Sequence, residues 1–243
     1  MSDEPRRSET AAVILAAGKG TRMKTDTAKV LVPLQGKPMV RHVVEACRGA
    51  GVGRIVFVVG YKAREVEAAL GPEFEYVYQN EQLGTAHALM RAEPVLRDFD
   101  GDLFVLPGDA PFVTPGFLSA LRAAHALSAA DATLASVVWE APPPYGRILR
   151  DGARRVVRIV EEWDAGPEVK AVKETCTSHY VFKAGVVLPL LPEIRNDNAK
   201  REYYLTDIVE VLARRGRRVE TFPVSDPSLV VGINTLEDLD RGS

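Results

Sequence analysis

A chain of 243 residues, 46% of them hydrophobic, is long enough for one large α/β domain or two small ones and rich enough in apolar side chains for a core. Its 31 Lys and Arg against 33 Asp and Glu leave a formal charge of -2, which gives no global field for nucleic acid, so any anion must be held locally. Cys47 and Cys176, the only cysteines, lack the spacing of a disulfide framework or a zinc site and suit a reducing cytoplasm, while no stretch reaches the roughly 18 apolar residues of a membrane span.

The polar opening MSDEPRRSET lacks the apolar core of a signal peptide, and residues 1–10 read as a flexible N-terminus. Residues 11–17 then form an apolar run expected to be a buried strand, followed by a glycine-rich loop and a helix over Met39–Gly49 with apolar residues at helical spacing. The alternation continues with strands at 54–60, 74–79 and 102–109 and helices at 63–70, 84–96 and 115–129. Strands and helices in this rhythm imply a largely parallel sheet covered on both faces. Beyond residue 130 the pattern changes. Strand-like runs at 132–139, 154–161 and 178–185, with the turn-rich EAPPPYGRI between the first two, suggest antiparallel strands or an insertion carried on the sheet. A helix over 203–216, strands over 219–224 and 229–234, and a helix starting at TLEDLDRGS complete the expectation. No linker divides the chain, and there is no internal repeat.

The loop after the first strand, Gly18-Lys19-Gly20-Thr21-Arg22, carries two glycines, two cations and no acid. It has neither the spacing of a Walker A loop nor the third glycine of a dinucleotide fingerprint. Gly18 and Gly20 would admit backbone N–H groups to an anion, with Arg22 and Lys29 adding charge-assisted contacts. Parallel strands bring their following loops to one sheet edge, so Asp109, after the strand at 102–107, faces the same loop. A carboxylate there repels phosphate but can hold Mg²⁺, and Asn234 offers a second oxygen. Gln79, Gly84 and Thr85 could present an amide and helix-end donors to a base or phosphate, and Gly146, after three prolines, permits close approach to a ligand. Each feature alone also has an ordinary reading as a glycine turn, an Asp turn or a cap. The four histidines read as surface or core imidazoles.

Taken in order, LAAGKGTRM (15–23) with Lys29, QLGTAHA (82–88), LPGD (106–109), YGRI (145–148), VEE (160–162), EYYLTDI (202–208) and GIN (232–234) resemble the nucleotidyltransferase domain of sugar-1-phosphate nucleotidyltransferases. The likeness is greatest to the uridylyltransferase domain of the N-acetylglucosamine-1-phosphate enzymes. The resemblance implies a Rossmann-like nucleotidyltransferase fold, with a mixed, mostly parallel sheet flanked by helices and a small antiparallel insertion on the sugar side. It implies one domain over 11–243, with a nucleotide half at about 11–130 and a sugar half at about 131–243.

The reaction it implies joins a nucleoside triphosphate, UTP first, to a sugar 1-phosphate and releases pyrophosphate. The alternatives are the same fold with dTTP, CTP or ATP and another phosphorylated sugar or alcohol, and a non-catalytic nucleotide-sugar-binding module. By the match, Leu15, Ala16, Ala17 and Gly18 with Gln79, Gly84 and Thr85 meet the base and ribose, and Arg22 and Lys29 meet the phosphates. Asp109 and Asn234 hold Mg²⁺, while Gly146, Glu161 and Cys176 lie at the sugar. The acetylglucosamine enzymes typically carry Glu-x-Asn-Thr-Gly where this chain reads Glu174-Thr175-Cys176-Thr177-Ser178, a departure at the sugar. Acetyl transfer is not expected from this chain; the partners expected are small molecules, with neither nucleic acid nor membrane, and a homo-oligomer is compatible with the sequence.

Overall fold

The computed structural model describes residues 10–23 and 25–241. Of the flexible N-terminus expected at 1–10, all but Thr10 lies outside the described residues, and Thr10 opens the first strand. The chain runs through β1 (Thr10–Ala16), a two-residue hairpin of β2 (Pro33–Leu34) and β3 (Lys37–Pro38), α1 (Met39–Gly49), β4 (Arg54–Val59), α2 (Ala63–Leu70), β5 (Glu75–Tyr78), α3 (Thr85–Leu96), β6 (Asp102–Pro107) and α4 (Pro115–Ser128). It continues through β7 (Ala132–Val138), β8 (Arg147–Arg150), β9 (Val156–Val160), α5 (Pro167–Lys170), β10 (Glu174–Lys183), α6 (Ala184–Val187), α7 (Ile208–Arg214), β11 (Val219–Pro223) and α8 (Leu236–Arg241).

The main sheet has the order β11-β7-β10-β6-β1-β4-β5, with the β8–β9 hairpin attached to β10. β1 lies parallel between β4 and β6, Val13 pairing across to Val56 on one side and Val105 on the other. β10 is antiparallel to both β6 and β7, and β11 is parallel to β7. The result is the mixed, mostly parallel sheet flanked by helices that the sequence suggested.

Strand alternation explains the two-sided core. Ala11 and Val13 pack with Val56, Val58, Leu103 and Val105 against Leu89, Ala92 and Leu96 of α3. Their neighbours Ala12 and Ile14 pack on the other face with Ile55, Phe57 and Phe104 against Val40, Val43, Val44 and Cys47 of α1. The period of two in β1 and the 3,4,7 spacing in α1 are the same signal read by two elements. Burial on both faces is what allows β1 to be a continuous apolar run.

Three expectations need correction. Residues 229–234 are not a strand: Asp226 caps a short 3-10 turn, Pro227–Val230, accepting Ser228 N–H at 3.0 Å, and the segment then runs unpaired to Asn234. The helix expected at 203–216 begins later, since Tyr203 is extended against the start of α3, with Tyr203 N–H donating to Leu83 O at 2.7 Å and Ala86 N–H to Tyr203 O at 2.8 Å. β10 starts at Glu174 rather than 178, and β8 was not anticipated, because both lie in Thr-, Ser- or Pro-rich sequence that reads as turn. The β8–β9 hairpin is the small antiparallel insertion. Among the described residues no helix is long and apolar enough to cross a membrane.

Candidate active site

The carboxyl ends of β1, β4 and β6 are stitched into one rim by their backbones. Gly108 N–H donates to Leu15 O at 3.0 Å and Tyr61 N–H to Ala17 O at 3.1 Å. A Cβ on Gly108 would stand 3.0 Å from Leu15 O, so glycine is what lets the β6 loop close on β1 and set Asp109 beside it. The two glycines of the opening loop do different work. Gly20, at φ +60°, presses against the Lys29 side chain, whereas a Cβ on Gly18 would meet nothing within 4 Å. Gly18 thus leaves the cavity open rather than serving internal packing.

Above this rim four charged or polar ends converge. Lys29 pairs with Asp109 and donates to Asn234 Oδ1 at 2.8 Å, and Arg22 donates to the same Asn234 oxygen at 2.8 Å. Asn234 comes from more than a hundred residues away along the chain and is fixed by backbone contacts. Ile233 N–H donates to Asp109 O at 2.9 Å, and Asn234 N–H and Thr235 N–H donate to Asp238 Oδ2 at 2.8 and 2.9 Å. Lys19 is exposed.

A cavity of about 450 Å³ opens from the cluster. It is lined by Leu15, Ala16, Ala17, Gly18, Lys29, Gln79, Gly84, Thr85, Asp109 and Glu161, so one space gathers ten of the fourteen residues proposed from sequence. Gln79 is 3% exposed and its amide nitrogen donates to Gly84 O at 2.9 Å and to His87 Nδ1 at 3.0 Å. Burial holds His87 below its ordinary pKa, in the neutral form that can accept this bond. With its nitrogen committed, Gln79 offers its carbonyl oxygen, an acceptor suited to an imide or amide N–H. Thr85 Oγ1 accepts Leu205 N–H at 2.9 Å, so the hydroxyl also anchors the segment after Tyr203.

The remaining residues sit on the β8–β10 side. Glu161 Oε1 accepts from Thr206 Oγ1 at 2.8 Å, and burial raises its carboxyl pKa against that bond. Gly146 lies behind Glu161 rather than on the cavity wall: a Cβ there would stand 2.7 Å from Ile159 Cγ2 and 3.4 Å from Glu161 Oε1. Cys176 lines a smaller space of about 130 Å³ that shares Pro107, Asp109 and Ser178 with the larger one and also touches Asn234. Its thiol, pushed up to about 12 by burial, stays protonated. Ser178, marked in the sequence with Cys176 as a departure at the sugar, lines the larger cavity, and so do Tyr180, Lys200, Glu202, Tyr204 and Thr206, which sequence reasoning had not singled out. EYYLTDI carried the only signal for three of these.

Ser178 holds φ +62° in the bulge between Cys176 and Tyr180. A left-handed residue with a Cβ costs about 1–2 kcal/mol, partly offset by the greater unfolded-state freedom of glycine. Ser178→Gly is therefore expected to stabilise the protein by about 1 kcal/mol, a rise of about 2–4 °C in thermal midpoint; a lower midpoint would show that the serine side chain matters more than its backbone.

A second cavity, about 690 Å³, lies beyond Glu161 and Tyr204 and is lined by Asp207. Burial raises Asp207 from 3.8 to about 6, with Glu161, Glu210 and Asp164 adding and Arg158 opposing. Because the folded value is above the unfolded one, the native state holds the extra proton between about pH 4 and 6 and loses stability as pH rises through that window. Asp207→Asn should gain about 1 kcal/mol above pH 6, allowing for solvent screening, and nothing near pH 4. Urea unfolding of both proteins at about pH 4 and 7.5 measures the difference.

Known proteins resemble this chain in sequence and in fold. A family model described as "MobA-like NTP transferase domain" matches residues 12–201. The chain is 43% identical over 223 residues to a "Bifunctional protein GlmU" of Geobacillus sp. (strain WCH70), covering 92% of this chain and 49% of that protein. It is 45% identical over 229 residues to the protein of the same name from Pelotomaculum thermopropionicum, covering 94% and 50%. The chain thus spans about half the length of the curated relatives it matches. Among solved structures, a UDP-glucose pyrophosphorylase complexed with UDP-glucose superposes with a TM-score of 0.78 at 18% identity, covering 96% of each chain, and an apo form does so with 0.78 at 17%; at that identity the likeness is one of fold. With the family model spanning most of the chain, from the first strand through the segment that carries Lys200, the chain belongs to the MobA-like NTP transferase domain family.

Proposed function

We propose that the protein transfers a nucleotidyl group from a nucleoside triphosphate, UTP foremost, to a sugar 1-phosphate, N-acetylglucosamine 1-phosphate or a related hexose 1-phosphate, releasing pyrophosphate. The observation that carries this reading is the convergence of Arg22, Lys29, Asp109 and Asn234 at the mouth of a cavity whose walls hold Gln79 at one side and Glu161 at the other. The relatives named for GlmU support it from sequence. Both substrates are small and phosphorylated, and the reaction suits a cytoplasmic setting.

The donor set fits Mg²⁺. Asp109 and Asn234 offer a carboxylate and an amide oxygen, and they already share a cation, the Lys29 ammonium. Among the described residues no three acidic, His or Cys side chains gather as a self-sufficient metal centre, and Mg²⁺ commonly takes one or two carboxylates and completes its shell with waters and substrate phosphates. When bound, the ion would neutralise charge on the triphosphate as pyrophosphate departs. Everything else falls to the chain's own residues. The open Gly18 edge and Gln79 place the base and ribose, Arg22 and Lys29 draw the phosphates to the rim, and Glu161 orients the sugar through its hydroxyls. A sugar phosphate is already ionised near neutral pH, so its oxygen can attack the α-phosphorus in line without a general base, and the work is alignment and charge stabilisation.

Purified protein with Mg²⁺ and a panel of sugar 1-phosphates should release pyrophosphate, fastest with UTP among the four common triphosphates. No release from any pair would sink the reading. Release that is faster with another triphosphate would correct the base.

A further inference from the structure

A separate hollow of about 520 Å³ lies against β11, the terminal strand of the sheet, with β7, β10 and β6 between that strand and β1. Among the described residues it shares no lining side chain with either cavity beside Glu161. Its walls are the turn of the β8–β9 hairpin, the end of α7 and the start of β11. Arg150, Arg154, Arg155, Arg217 and Arg218 line it against two acids, Asp151 and Glu220. A chain with a formal charge of -2 thus concentrates cations at one place far from its opening loop.

Three of these arginines build the walls. Arg150 grips both carboxylate oxygens of Glu174, at 2.8 and 3.0 Å, and donates to Thr221 Oγ1 at 2.8 Å, which ties the hairpin to β10 and β11. Arg155 pairs with Asp151 across the turn at 2.6 Å, and Arg218 donates to Glu220 at 2.8 Å. Arg154 and Arg217 are different: both are exposed, and among the described residues their side chains make no hydrogen bond or ion pair. Their backbones are nevertheless fixed. Asp151 Oδ1 accepts the N–H groups of Ala153 and Arg155 at 3.0 and 2.9 Å, and Arg150 donates to Arg154 O at 3.0 Å, which holds Arg154 left-handed at φ +64°. At the end of α7, Gly216 N–H donates to Ala213 O at 3.0 Å and Arg217 N–H to Leu212 O at 2.9 Å, so the last carbonyls are occupied by the chain itself.

Two guanidiniums without a counter-charge, on two braced walls of one hollow, match an anion that carries at least two negative charges and several acceptor oxygens. No aromatic ring lines the hollow, so nothing there stacks on a base and the recognised group is a phosphate chain. We infer that this hollow is a binding site for an oligophosphate anion, free or borne by a nucleotide, gripped by Arg154 and Arg217 and distinct from the site at Asp109. It stands independently of the nucleotidyl-transfer reading. Isotope-labelled wild type, Arg154→Ala, Arg217→Ala and the double variant are to be titrated with inorganic pyrophosphate and with UDP, without metal and at constant ionic strength. The backbone amides of Ala153, Arg155, Gly216 and Arg218 are followed by NMR, with sodium sulfate and a polyglutamate peptide as controls.

These amides should shift together and saturate with pyrophosphate or UDP, and whichever binds more tightly identifies the free or the nucleotide-borne form. Each single variant should weaken binding at this hollow about 10-fold, as expected for loss of a charge-assisted contact, and the double variant should abolish it. Neither arginine touches the Asp109 cluster, so pyrophosphate release by the variants should equal that of wild type. Shifts confined to the amides around Gly18 and Arg22 would overturn the inference, as would a double variant that titrates like wild type. Equal shifts with sulfate would reduce the hollow to charge screening, and a response to polyglutamate alone would make it a face for an acidic protein; either result also overturns it.

Discussion

Asp109→Ala is expected to lower turnover by at least about 10²-fold, with little change in thermal stability. The carboxylate is one of two side-chain oxygens that share the Lys29 ammonium at the mouth of the cavity, and on the proposed reading, in which it would hold Mg²⁺, its loss removes several kcal/mol of transition-state stabilisation, each 1.36 kcal/mol being about tenfold in rate. The fold should tolerate the change. Asp109 holds the C-terminal segment through its backbone carbonyl, which accepts Ile233 N–H at 2.9 Å, and this bond survives truncation. The Asp109 side chain is partly exposed, and Lys29, though its side chain is only 11% exposed, keeps Asn234 Oδ1 as an acceptor at 2.8 Å, so its ammonium is not left unpaired. Alanine also leaves Lys29 held by Asn234 alone, so some of the loss belongs to a less well-placed ammonium. A Mg²⁺ titration of the variant separates the two: a rightward shift in the metal dependence is the signature of a lost ligand. Turnover within about threefold of wild type would remove Asp109 from the chemistry.

Gly84→Ala should damage the protein from the opposite direction, through the backbone. Gly84 sits at φ +111°, and a Cβ there would lie 2.5 Å from Tyr203 O and 2.7 Å from Tyr203 N. The clash cannot be relieved by turning a side chain, because the struck atoms are main chain. They are also pinned, Tyr203 N–H by Leu83 O at 2.7 Å and Tyr203 O by Ala86 N–H at 2.8 Å. Strain from the left-handed conformation and the forced separation of these strands of chain together should cost about 3 kcal/mol or more, lowering the thermal midpoint by about 6–12 °C. The same movement displaces Gly84 O from Gln79 Nε2, now 2.9 Å apart. KM for the triphosphate should therefore rise at temperatures where the variant is still folded. A midpoint unchanged within about 1 °C would mean that the two segments separate freely.

Much of the molecule can be read from residue order because the information is local. β1 is apolar throughout since both its faces are covered, and α1 announces itself by Val40, Val43, Val44 and Cys47. Gly18, Arg22, Lys29 and Asp109 follow directly from the rule that loops after parallel strands meet at one edge. Asn234 is different: its segment resembles a strand in composition, and only the hydrogen bond from Ile233 to Asp109 and the Asp238 cap show how an unpaired stretch brings the amide to Lys29. Gly146 was read as a point of ligand approach, whereas the space it lacks is filled by Ile159 and Glu161.

The chain's alternation of apolar runs and amphipathic helices, together with its ordered motifs, was sufficient to identify the α/β class and to pick out ten residues that line the larger cavity. Periodicity and strand-end position depend on near neighbours alone, which is why they are legible. Tertiary contacts decided what periodicity cannot encode: that β10 enters between β6 and β7 in the opposite sense, that its bulge leaves Ser178 left-handed, and that the Cys176 thiol meets the Tyr180 phenol. A register shift moves a side chain by relations between strands far apart in sequence, so the wall of the larger cavity that carries Ser178 and Tyr180 emerges only when those strands are packed together.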